Sequence, residues 1–147
     1  PISCVILGEG PLLDRLQNER RDLGLDDVVT FAGDQSNVDE YLDNSDVFVL
    51  SSRTEGNPLV LVQALSRGIA IVSTDCNYGP RETLDGGRLG YLVPVGDDLR
   101  MANAILEAGT NPPPSSELVD HARLFDPTLA AASYLKFFEQ RLRDKGF

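Results

Sequence analysis

A chain of 147 residues, 41% of them hydrophobic, is long and apolar enough to bury one core without staples, which excludes a disordered polypeptide. Its formal charge of −10 argues against nonspecific nucleic-acid binding and against adsorption to an anionic membrane, because no stretch concentrates positive charge. Residues 1–50 hold most of that excess, with three basic and eleven acidic side chains, against ten and twelve in residues 51–147. No apolar run reaches the roughly 20 residues that span a bilayer, and the start Pro1-Ile2-Ser3-Cys4-Val5 lacks the basic flank of a signal peptide. A cytoplasmic protein without a transmembrane segment is expected. Cys4 and Cys76 are too few for a disulfide framework and wrongly spaced for zinc, so both are read as free thiols.

In chain order, short apolar runs at Ile2–Leu7, Val28–Phe31, Val47–Leu50, Ile69–Val72 and Leu89–Val93 predict five buried strands. The first helix is expected over Leu12–Leu23, with Gly24 as its stop, and a short polar crossover over Asn37–Asp43. A mostly apolar helix should open at Asn57-Pro58, where proline suits the first turn, and stop at Gly68. Helices over Gly79–Leu84 and about Asp97–Ala108 follow. The prolines of Thr110-Asn111-Pro112-Pro113-Pro114-Ser115-Ser116 impose a loop, after which helices are expected over about Glu117–Leu124 and from Asp126-Pro127 onward. The last carries Tyr134, Phe137 and Phe138, the expected packing face. Strands alternating with helices predict an α/β fold, a Rossmann-like parallel sheet with helices on both faces.

Two segments could carry chemistry. Gly8-Glu9-Gly10-Pro11 places small residues at the carboxyl edge of the sheet, where open parallel sheets bind ligands, although a plain tight turn reads equally well. Leu13 occupies the third glycine position of a dinucleotide fingerprint and no Walker lysine follows, so neither of those readings gains support. The second segment, Ser51-Ser52-Arg53-Thr54-Glu55-Gly56-Asn57-Pro58-Leu59-Val60, leads from the middle strand into the apolar helix. A helix opening at that edge directs free N–H groups and a positive dipole end at a ligand, which suits phosphate. Glu55 beside it suits hydroxyls, and Gln63, roughly two turns on, could face the same crevice. The combination fits a sugar phosphate; the plainer alternative makes Glu55 a helix cap and Gln63 a solvated residue.

Glu55-Gly56 followed eight positions later by Gln63-Ala64, then Gly68-Ile69-Ala70-Ile71-Val72-Ser73-Thr74-Asp75, resembles the pattern of retaining glycosyltransferases of family 4 (group 1). The surrounding motifs agree: Gly8-Glu9-Gly10-Pro11, Val29-Thr30-Phe31-Ala32-Gly33, Asp46 to Ser52, Gly79-Pro80-Arg81-Glu82-Thr83-Leu84 and Gly90-Tyr91-Leu92-Val93-Pro94. The resemblance spans about residues 2–108. It implies one half of a GT-B fold, the carboxyl-terminal domain that binds the nucleotide-diphosphate sugar, a UDP- or GDP-sugar, with no metal and no cofactor. Glu55 takes the catalytic site on this analogy, holding hydroxyls of the donor sugar. Gly8, Gly10, Gly56, Asn57, Leu59 and Val60 would approach the donor, the last two through backbone facing the diphosphate. Gln63 would hold the ribose, and the loop at Asp34 and Gln35 the base.

Two departures from the family pattern stand out. Glu is usual where this chain has Gln63, and the basic Arg and Lys that neutralise the diphosphate belong before the first strand of this sequence. The expectation is therefore a fragment: residues 1–109 as most of the donor-binding domain without its first βα unit, 110–116 as a Pro-rich loop, and 117–147 as helices packing on that domain and on an absent acceptor domain. Such a piece would be inactive alone. The acceptor, a saccharide or glycolipid, would be met through the missing N-terminal half, which could also dock the full-length enzyme peripherally at the inner face of a membrane. A noncatalytic nucleotide-sugar-binding module and a GT-B sugar-nucleotide epimerase are the alternatives. A receiver domain is disfavoured, because its acidic cluster and terminal lysine are missing. Asp75 and Glu82 read as a strand-ending turn residue and a first-turn carboxylate, and His121 has no assigned catalytic role.

Overall fold

The computed structural model describes residues 2–145 and divides into two compact units, residues 1–40 and 41–147. In the first, β1 (Cys4–Leu7) pairs in parallel with β2 (Val29–Gly33), and α1 (Leu13–Asp22) connects them. α1 ends as its sequence dictates, with Gly24 in the left-handed region at φ 66° and its N–H donating to Arg21 O at 3.0 Å. Arg20 ties the helix to the following strand. Its Nη1 donates to Val29 O at 3.1 Å, its guanidinium lies 5.8 Å from the Phe31 ring centroid, and it pairs with Asp26 at 2.9 Å. Within the described residues 2–40 no side chain is fully buried.

In the second unit β3 (Val47–Leu50), β4 (Ala70–Thr74) and β5 (Tyr91–Val93) form a parallel sheet in that order, with Leu50 opposite Ser73 and Thr74 opposite Val93. α2 (Val38–Asp43) precedes β3 across the division between the units, α3 (Leu59–Ser66) connects β3 to β4, and α4 (Pro80–Thr83) with a 3-10 turn connects β4 to β5. α5 (Asp98–Thr110), α6 (Ser115–Ala122) and α7 (Pro127–Asp144) follow. Successive residues of β4 face opposite sides: Ala70 and Val72 share a cluster with Ala104 and Ala108 of α5, while Ile71 and Ser73 turn the other way. α3 packs against β4 and α6, burying Leu61, Ala64 and Leu65. This is the expected α/β architecture.

Several expectations are corrected in detail. Among the described residues β4 alone is buried along its whole length, with a hydrogen-bonded neighbour on each side within its unit; in the first unit β1 and β2 pair with each other and are exposed or half-buried. β5 begins at Tyr91, since the buried Leu89 and Gly90 belong to the turn before it. α5 continues to Thr110, two residues past the expected end, its hydroxyl donating back to Leu106 O at 3.1 Å. α6 starts at Ser115, directly after the prolines rather than at Glu117, with Pro114 O accepting from Glu117 N at 2.9 Å. α7 buries none of its described residues, so Tyr134, Phe137 and Phe138 remain exposed. Both thiols are free, Cys4 exposed and Cys76 buried. Among the described residues no helix is long and apolar enough to cross a membrane.

Candidate functional site

The expected site residues fall into both units, and the two groups are described separately. In the first unit the chain leaves β1 through Gly8, at φ 107°, whose N–H donates to Gly33 O at 2.7 Å. That backbone sign requires glycine. Gly10 is under no such constraint: a Cβ there would meet nothing within 4 Å, so the space above its backbone is open. Gly10 O accepts from Leu13 N at 3.1 Å, closing the turn into α1. Gln35 is held locally, with Nε2 donating to Ala32 O at 2.5 Å, and Asp34 precedes it in the same loop.

In the second unit, three loops leave the carboxyl edge of the β3-β4-β5 sheet, and side chains bind them across strands. Thr74, the last residue of β4 and 3% exposed, donates its hydroxyl to Ser52 O, with Leu50 O 3.4 Å away. Ser52 in turn donates its own hydroxyl to Glu55 Oε1 at 2.5 Å. Asp75 N donates to Val93 O at 2.7 Å, joining the β4 exit to β5.

The loop then reaches α3 under a steric constraint. Gly79 sits at φ 89°, and a Cβ on it would overlap Pro58 Cδ and lie 3.2 Å from Gly56 O. The turn before α4 thus seats the buried Pro58, which fixes where α3 begins. Pro58 occupies the N-cap position and provides no side-chain cap, whereas α5 and α7 are capped by Asp97 and Asp126. Leu61 N donates to Pro58 O at 2.9 Å; the N–H groups of Leu59 and Val60, in the first turn, have no acceptor within the helix. Gly56 and Asn57 are exposed beside them, and a Cβ on Gly56 would meet nothing within 4 Å. The result is an uncapped, positively polarised helix end with a half-buried carboxylate fixed in the loop before it.

Gln63 lies one turn inside α3, four residues after Leu59, and both are exposed. The residues expected at the donor site from Glu55 to Gln63 therefore share one loop and one helix face. Asp75 is committed elsewhere: Arg81 donates to both of its carboxylate oxygens, through Nε at 3.1 Å and through Nη2. Hydrogen bonding and the charge of Asp75 raise the fully exposed Arg81 guanidinium still further above its ordinary value. Glu82 is exposed on α4. His121 has structural work, with Nε2 3.1 Å from Thr83 O and its ring edge-on to Phe125 at 5.6 Å. Sequence reasoning gave Ser52, Thr74 and Gly79 no role. The only signal for them was that hydroxyl residues end β4 and follow β3, and that a glycine precedes Pro80.

Against known proteins, residues 1–125 match the family model described as "Glycosyl transferases group 1". An uncharacterized glycosyltransferase of Methanocaldococcus jannaschii is 42% identical over 82 residues, 56% of this chain and 20% of that protein. The apo form of the lipopolysaccharide outer core galactosyltransferase WaaB superposes with a TM-score of 0.75 at 27% identity, over 97% of this chain and 41% of that one. The pneumococcal O-GlcNAc transferase GtfA, solved with UDP and GlcNAc, gives a TM-score of 0.78 at 20% identity, over 95% of this chain and 29% of that one. This chain spans between about a fifth and two fifths of the length of these relatives. With residues 1–125 matched, and with its ordered motifs set at the carboxyl edge of a parallel sheet, the chain belongs to the group 1 glycosyl transferases.

Proposed function

We propose that this chain is the donor-binding domain of a retaining family 4 glycosyltransferase, moving a sugar from a nucleotide-diphosphate sugar to a saccharide or lipid-linked acceptor. The observation that carries the reading is the uncapped start of α3 at the sheet's carboxyl edge, with Glu55 held beside it by Ser52. As the bond between the anomeric carbon and the diphosphate oxygen breaks, negative charge grows on the leaving nucleoside diphosphate. N–H groups and a helix dipole already aimed at that charge favour the transition state over the ground state. Glu55 accepts hydrogen bonds from donor-sugar hydroxyls and orients the sugar; Gln63 does the same for the ribose through its amide. The assignments of Gly8, Gly10 and Gln35 to donor contacts rest on the family resemblance alone.

Support for the ligand class comes from the UDP found in GtfA. WaaB, named for the lipopolysaccharide outer core, supports a polysaccharide or glycolipid acceptor; binding of that acceptor by a further domain, and a place for the enzyme at the cytoplasmic face of a membrane, rest on the family resemblance alone. On this reading the 147-residue chain does not turn over by itself.

An amide NMR titration with UDP, GDP and ADP at millimolar concentration tests the proposal. Selective shifts at Glu55–Val60 and Gln63 with one nucleotide are expected, and would identify the base; silence toward all three overturns it. Gln63 itself favours a second reading, a noncatalytic nucleotide-sugar-binding module. Turnover by a longer form that contains this domain and an acceptor-binding domain would exclude that.

A further inference from the structure

We infer that Thr74 and Ser52 form a two-step positioning relay for Glu55, so that the orientation of this carboxylate is set from within the sheet, through the loop that carries it. The inference rests on the donor-site reading above and extends it to two residues.

Thr74 is buried at the last rung of β4, and a buried hydroxyl must find a partner. It finds one 22 residues away, in the carbonyl of Ser52 just beyond the end of β3. That bond fixes the backbone of a segment with no regular structure of its own. Ser52 then donates from its side chain to Glu55 Oε1 at 2.5 Å, an O–H···O⁻ bond of the strong, charge-assisted kind.

The geometry matters for chemistry because Glu55 is half-buried and Oε2 takes no hydrogen bond from the described residues. One oxygen is anchored and the other is left to accept from a sugar hydroxyl. A hydroxyl anchor, unlike an arginine or lysine, does this without neutralising the carboxylate. Ser52 and Thr74 are therefore positioning residues, acting through Glu55.

A relay that acts through Glu55 affects only the sugar, and this separates it from general loop stability. Affinities of the full chain and its variants are measured for UDP and GDP, each alone and as UDP-galactose, UDP-N-acetylglucosamine and GDP-mannose. Wild type should prefer one conjugate over its bare nucleotide. Ser52→Ala should weaken the conjugate by roughly tenfold and leave the bare nucleotide unchanged, and Ser52→Thr should restore the preference. Thr74→Val should act in the same direction, with Thr74→Ser near wild type. In the ligand-free chain, the Glu55 carboxyl carbon resonance should move in Ser52→Ala and stay in place in Ser51→Ala. Equal loss for nucleotide and conjugate would reduce Ser52 to a structural role and overturn the relay. So would an unchanged Ser52→Ala beside a Glu55→Ala that loses the sugar preference. If Glu55→Ala itself changes nothing, the donor-site reading fails and the relay with it.

Discussion

Gln63 stands on the exposed side of α3 one turn after Leu59, at the position where the family resemblance leads one to expect a carboxylate. A carboxylate accepts charge-assisted hydrogen bonds from a diol, and these exceed amide bonds by about 1–2 kcal/mol. Gln63→Glu should therefore tighten donor binding by roughly 5- to 30-fold, as calorimetry would show; an unchanged or weaker affinity would mark the amide as an adaptation. Gly79 is constrained twice, by its φ of 89° and by Pro58 against its Cα. Gly79→Ala should cost about 1–3 kcal/mol and lower the thermal midpoint by several degrees. Because Pro58 must shift to admit the methyl, nucleotide shifts at Leu59 and Val60 should shrink in the same variant.

At the scale of elements, α6 is attached to the domain through α3. Leu118 is fully buried, Gly68 passes so close to Ser115 that a Cβ would overlap its hydroxyl, and His121 lies against Thr83 O. Leu118→Ala should cost about 2–5 kcal/mol, read as a lower urea midpoint at unchanged slope. α7 depends instead on its cap. Asp126 Oδ1 accepts from Thr128 N at 2.7 Å, and this hydrogen bonding holds the Asp126 carboxyl below its ordinary value. A carboxyl whose folded pKa is depressed stabilises the fold at neutral pH and loses that contribution as pH falls through the folded pKa. Cα shifts at Asp126–Leu129 should thus report loss of helix at the acid end of the carboxylate range and below. In Asp126→Asn, which caps without titrating, this region should show no such step.

For the molecule as a whole, the two units differ in what they bury. The described residues of the first unit include no fully buried side chain and only a two-stranded sheet, which is marginal in water at this length. The second has a three-stranded sheet with its cluster of Ala70, Val72, Val93, Ala104 and Ala108. A peptide of residues 1–40 should be unstructured by circular dichroism, whereas residues 41–147 should unfold in one cooperative transition. Regular structure in the isolated peptide, or a gradual melt of the longer piece, would contradict this partition.

Much of what near neighbours along the chain carry was legible in the sequence: the stops at Gly24 and Gly68, the helix start at Asp126-Pro127, the βα alternation, and the placing of Glu55 and Gln63 around the start of α3. Those features depend on residues one to four apart, where spacing and side-chain chemistry suffice. Tertiary structure alone decided which strands are buried, since that depends on how many neighbours a strand acquires and on the helices that cover it. It also decided that Thr74 reaches Ser52 and that Gly79 seats Pro58, pairs more than twenty residues apart. Such pairs exist only once β4 lies in register beside β3, and that pairing joins strands about twenty residues apart in the chain rather than near neighbours.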